Sequence, residues 1–185
     1  MAEAGPLPHS RRTAADARAN NNHALNWLCE RGFLDEAQWL TARFGLGPED
    51  ARANDNWALR RACANDRLAV AQWLEAEFGL GPADARAGNN WALRWACKYG
   101  HLAMAQWLAE RFLLSAEDAR AKSNWALQQA CGRGHLAVAQ WLAARFGLGP
   151  ADAQAGDNWV LRVARANGHQ EVVRWLEEEQ LAPSS

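Results

Sequence analysis

Residues 89–112 read NNWALRWACKYGHLAMAQWLAERF. Asn90 is a good helix N-cap, and the Ala- and Leu-rich run behind it propagates a helix. Gly100 offers a turn, and a second amphipathic segment follows. The stretch therefore reads as helix, turn, helix, with three tryptophans to be placed.

The same segment recurs along the chain. Asp16, Asp50, Asp84, Asp118 and Asp152 are spaced by 34 residues without slippage. Trp39, Trp73, Trp107, Trp141 and Trp175 keep the same interval, as do Asn22, Asn56, Asn90, Asn124 and Asn158. A fixed period means supersecondary units that bury their apolar faces on one another. Five copies are expected at about 13–46, 47–80, 81–114, 115–148 and 149–181, within one domain at 12–181. A flexible tail is expected at 1–11 and a short one at 182–185.

Each copy predicts three helical pieces. The first is short, as in GPADARA at 81–87, with Pro preset for the first helical position. Ser115 with Asp118 and Thr13 with Asp16 have capping-box spacing. The second opens at the repeated Asn and ends at Gly32, Gly100, Gly134 or Gly168, with Asp66 in the second copy. The third, as in HLAVAQWLAARF at 135–146, places Leu136, Ala139, Leu142 and Phe146 on one face. No segment alternates with period two, so the fold class is all-α, a repeat solenoid with little or no β-hairpin.

This unit resembles the ankyrin repeat. Trp91 to Cys97 stands where ankyrins carry Thr-Pro-Leu-His and small residues, and GHL at 100–102 and 134–136 matches the ankyrin turn and second-helix start. Thr-Pro becomes Trp-Ala or Trp-Val, and the His becomes Arg60, Arg94, Gln128 or Arg162. One extra residue is present per copy, and PADARA replaces the finger hairpin. The chain looks like the divergent Trp-rich form met in unicellular eukaryotes and large DNA viruses. That resemblance implies a concave inner face, built by the first long helices, that binds a protein partner.

Eleven tryptophans in 185 residues need an explanation. Nine recur at fixed positions: Trp39, Trp73, Trp107, Trp141 and Trp175, and Trp57, Trp91, Trp125 and Trp159, with His23 in the first copy. These read as core packing. Trp27 and Trp95 occupy a position that elsewhere holds Arg61, Gln129 or Val163, so they read as inner-face residues. Tyr99 lies four residues beyond Trp95 on the same helical face.

Net charge is −1 and 49% of residues are hydrophobic, which argues against a bulk electrostatic grip on nucleic acid or membrane. The charge is segregated, however. Arg60, Arg61, Arg94, Lys98, Arg133 and Arg162 fall on the first long helices and their turns. Glu36, Glu75, Glu77, Glu110, Glu171 and Glu177 to Glu179 fall on the second. At roughly 10 Å per layer the basic stripe would run about 40 Å. It would suit an acidic protein partner.

Cys29, Cys63, Cys97 and Cys131 also repeat every 34 residues and read as small apolar packing. Cys97 with His101 and Cys131 with His135 have i, i+4 spacing, but two ligands do not make a zinc site. No phosphate loop or hydrolase elbow stands out. No run of apolar residues has membrane-spanning length, and no secretory leader is visible. Both ends read as caps of a complete array.

The expectation is a non-enzymatic interaction scaffold, monomeric and cytoplasmic (host cytoplasm if viral), without cofactor or metal. Its partner-binding residues would be Arg60, Arg61, Arg94, Trp95, Lys98, Tyr99, Gln128, Gln129, Arg133 and Arg162. The alternatives are a structural repeat with no fixed partner and a weak single-stranded nucleic-acid binder.

Overall fold

The structure, a computed structural model, describes residues 13–149, 152 and 159–181. The expected tails, Asn158 and the side chain of Glu179 lie outside the described residues. Within them are twelve helices and no strand. They are α1 (Ala14–Arg31), α2 (Leu34–Phe44), α3 (Pro48–Ala64), α4 (Leu68–Phe78), α5 (Pro82–Ala85) and α6 (Ala87–Lys98). They continue as α7 (Leu102–Arg111), α8 (Ala116–Ala119), α9 (Ala121–Gly132), α10 (Leu136–Phe146), α11 (Trp159–Ala166) and α12 (Gln170–Leu181).

The helices α1, α3, α6, α9 and α11 pack on one another in chain order. Each also packs on the helix that follows its turn: α2, α4, α7, α10 and α12. The interior between them is filled by recurring small and branched residues. Leu25, Leu59, Leu93 and Leu127 are fully buried, as are Cys29, Cys63, Cys97 and Cys131. From the second helices come Leu74, Leu108, Leu142 and Leu176. Each such leucine is worth about 2–5 kcal/mol against alanine.

The tryptophans correct the core expectation. Among the nine recurring rings only Trp175 is buried, at 8% exposure, while Trp39 is 62% exposed and Trp159 43% exposed. Trp57, Trp73, Trp91, Trp107, Trp125 and Trp141 are half-buried. In the second helices the ring lies beside the buried leucine and meets the Phe five residues on. Trp73–Phe78, Trp107–Phe112 and Trp141–Phe146 are edge-to-face at 5.4–5.5 Å. In the first four copies the ring recurs with its Phe partner, and the interior itself is closed mainly by Leu, Ala and Cys.

The repeated Asn is also corrected. It does not cap a helix from extended backbone. Asn20, Asn21 and Asn22 all take left-handed angles, as do 54–56, 88–90 and 122–124. Three such residues in succession make one left-handed turn, which divides the short first piece from the long helix behind it. Asn, Asp and Gly tolerate this backbone best, and they fill all these positions except Lys122 and Ser123. The turn's middle carbonyl is capped from the next helix. Asn26 donates to Asn21 O, Arg60 to Asp55 O, Arg94 to Asn89 O and Gln128 to Ser123 O.

The capping boxes form as expected: Thr13 and Ser115 side chains accept from Asp16 N and Asp118 N, and the carboxylates accept in return. The repeated Asp does more than cap. Arg18 binds Asp50, Arg52 binds Asp84, Arg86 binds Asp118 and Arg120 binds Asp152, so each copy's Arg grips the next copy's Asp. The same four guanidiniums donate to the carbonyls of Gly45, Gly79, Leu113 and Gly147, beyond the preceding helices. Asn124 adds a bond to Asp152. Burial alone would raise the Asp118 carboxyl. Hydrogen bonds from Arg86 and from the Ser115 N–H and hydroxyl outweigh it and bring the group to about 2. Asp84 is lowered in the same way, burial being outweighed by Arg52, the Gly81 N–H and Asn56.

A second tie joins the turns. The imidazole Nε2 of His101 lies 3.1 Å from Ala64 O, and that of His135 lies 3.0 Å from Lys98 O. Both imidazoles donate to the end of the preceding copy's long helix. Arg67 does the same toward Glu30 O, and Asn167 toward Gly132 O.

Candidate functional site

The first long helices carry a continuous run of aromatic and cationic side chains. Trp91 and Trp95, four residues apart on α6, stack at 4.2 Å and 10°. Trp95 stacks in turn on Trp125 of α9 at 4.7 Å and 21°. Trp57 of α3 approaches Trp91 at 6.4 Å in a tilted arrangement. Guanidiniums fill the remaining faces. Arg60 lies 5.5 Å from the Trp57 ring and 4.7 Å from the Trp91 ring. Arg94 lies 5.2 Å from Trp95 and 5.1 Å from Trp125. Such contacts contribute about 0.5–1 kcal/mol each at exposed sites and more where water is excluded.

Trp95 is thus half-buried with a tryptophan on either side, and it touches the surface by its edge. The recurring Trp57, Trp91 and Trp125, expected in the core, belong to the same surface run. Their i, i+4 spacing from Arg61, Trp95 and Gln129 was the available signal.

The expected binding residues divide into two groups. Arg94 is buried, at 8% exposure, and bonds the Asn89 and Gly88 carbonyls, so it holds the left-handed turn and is withdrawn from partners. Burial, with Arg60 nearby, lowers its pKa. Arg60 and Gln128 cap the equivalent turns in their own copies. Arg61 is committed to Glu30 through two hydrogen bonds, and it lies 5.3 Å from the Trp57 ring. The hydrogen bond from Arg61 lowers the Glu30 carboxyl.

Lys98, Tyr99, Arg133 and Arg162 form the second group. None of the three cations has a carboxylate partner among the described residues. Lys98 Nζ lies 5.3 Å from the Trp95 ring and 5.2 Å from the Tyr99 ring. Arg133, from the next copy, is exposed and lies 6.0 Å from the same Tyr99 ring. The tyrosine is exposed between them. Arg162 is exposed one copy further on. Gln129 and Arg133 also line a cleft of about 510 Å³ with Gly132, Trp159, Val163, Asn167 and His169.

On the second helices, two of the carboxylates read as an acidic face are paired: Glu75 with Arg111 and Glu177 with Arg165. Their surface is therefore less acidic than a count of glutamates implies. A second cleft of about 450 Å³, mostly apolar, lies at the first copy between Trp27, Leu28, Trp39 and Leu40.

Burial pushes the Cys29 and Cys131 thiols up to about 12, and those of Cys63 and Cys97 are raised likewise. These thiols are neutral and inert at neutral pH. Among the described residues no group of three or more His, Cys, Asp or Glu is arranged to hold a metal ion. No described helix is long and apolar enough to cross a membrane. No protein-family model matches the chain, and no curated protein sequence is significantly similar to it.

Proposed function

We propose that the chain is a non-enzymatic interaction scaffold: an ankyrin-like solenoid of five 34-residue copies that binds an acidic protein partner on the face of its first long helices. The observation that carries this reading is the cluster of Lys98, Tyr99 and Arg133. It joins two adjacent copies, rests on a stacked aromatic base, and has no carboxylate of its own among the described residues. Rings and cations already fixed against a rigid base lose little entropy on binding. Unpaired cations beside an exposed tyrosine suit an acidic contact with an aromatic anchor. Four buried, unpaired cysteines suit a reducing compartment, and the reading is of a monomer working inside the cell.

The packing disfavours nucleic-acid binding along the central rings, Trp91 and Trp95. Base stacking needs a free aromatic face. Trp95 has rings against both faces, and Trp91 has Trp95 and Arg60.

Affinity capture from the native cell tests the proposal, with wild type beside Lys98→Glu/Arg133→Glu. The double variant keeps the wild-type melting curve and loses the captured partner about tenfold or more. Equal capture by both proteins would sink the proposal. So would tight, steeply salt-dependent binding of single-stranded oligonucleotides in place of a protein.

A further inference from the structure

The aromatic run has a gap, and the gap is a cleft. Between Trp91 and Trp125 the space is closed by Trp95 and Arg94. One copy later the equivalent positions hold Gln129 and Gln128, and Gln128 is spent on the Ser123 carbonyl. Gln129 offers no ring to Trp159, and Val163 is too small to cover it. Gly132, on the floor, has no side chain at all. Trp159 is left 43% exposed, with no ring or cation stacked on it among the described residues.

We infer that this cleft of about 510 Å³ receives an aromatic side chain of the protein partner, which completes the stack on Trp159 while an adjacent carboxylate meets Arg133. The volume suits one ring with its flanking backbone. Trp95 covers Trp125 from the equivalent position one copy earlier, so a ring entering beside Gln129 can cover Trp159 in the same way. The polar edge is selective. Arg133 is exposed and has no carboxylate among the described residues, which favours an anionic neighbour. The Asn167 amide N–H₂ donates to Gly132 O, which leaves its carbonyl to accept from an indole N–H or phenol O–H. This inference rests on the scaffold reading and names what the partner presents: an aromatic residue next to an acidic one.

N-acetyl-L-tryptophan, which carries an indole and a carboxylate, is the probe. Titrated against the full chain by NMR, it saturates at roughly millimolar concentration and moves the Trp159 indole N–H and His169 resonances. N-acetyltryptophanamide, lacking the charge, binds several-fold more weakly, and N-acetylglycine, lacking the ring, does not saturate. Gln129→Trp fills the gap from within and abolishes probe binding. If that variant does not fold, Trp159→Leu removes the platform and must abolish binding instead. Probe binding unchanged in the folded variant, or shifts remote from Trp159, overturns the inference. A partner that Gln129→Trp captures as well as wild type also overturns it and leaves the scaffold reading intact. A chain that binds the probe but captures no partner overturns the scaffold reading and leaves the cleft's specificity standing.

Discussion

Leu113 takes φ 50° where the other copies place Gly45, Gly79 and Gly147 at 60–62°. The side chain is 77% exposed, so it gains nothing from packing to offset its left-handed backbone. Leu113→Gly is expected to raise stability by about 0.5–1 kcal/mol in urea unfolding. At this scale the sequence was only partly legible. The 34-residue interval locates the nine recurring tryptophans but not their depth. A recurring residue can recur because of one neighbour, as Trp73 does with Phe78, and stand half in water. Trp95 stands apart by its variability between copies, yet its two stacking partners read as core and are half-buried like it. What hid this is that a half-buried ring and a buried one leave the same mark in a periodic sequence. The charge of Arg94 likewise gave no sign that its guanidinium closes a backbone turn.

Among the elements, the helix–turn–helix units followed from the pattern, since apolar periodicity and Gly turns are local properties. The left-handed turn did not. Asn before a helix is ordinarily a cap, and only the strings Asn-Asn-Asn, Asn-Asp-Asn and Gly-Asn-Asn hinted at three left-handed residues in a row. The glycine turns between long helices are constrained twice. Gly100 takes φ +80°, and a Cβ there would lie 2.6 Å from the His135 Nδ1 of the next copy. Gly79 is left-handed too, but nothing lies within 4 Å of its Cβ position. Gly79→Ala should therefore cost about 1 kcal/mol and Gly100→Ala about 2–3 kcal/mol. The excess should fall away in a His135→Ala background, a coupling that a double-mutant cycle reads directly.

For the whole molecule, copies are joined by ties that no single copy contains. The Arg18–Asp50, Arg52–Asp84, Arg86–Asp118 and Arg120–Asp152 pairs repeat every 34 residues in the sequence. The sequence shows the Asp residues only as caps and gives the Arg residues no role, because partners 32 positions apart meet only once the copies are side by side. The folded Asp118 carboxyl sits at about 2 against an ordinary value of 3.8. A group lowered on folding stabilises the protein above its unfolded pKa, and that contribution is lost as pH falls through the folded value. Arg86→Ala should cost about 2 kcal/mol at neutral pH. The difference from wild type should shrink between about pH 4 and pH 2, as read by urea unfolding across that range. A difference constant with pH would remove the ladder from the account.

Both the surface cluster and the cleft require equal layers in sequence order. Asp35, Ala103, Ala137 and Glu171 are equivalent exposed positions one or two copies apart, and the native thiols are buried and poorly reactive. Spin labels on cysteines introduced in the pairs 35/103, 35/137 and 35/171 give the spacing by double electron–electron resonance. The account predicts distances of roughly 20, 30 and 40 Å, rising in near-equal steps. Distances that do not rise in chain order would contradict it.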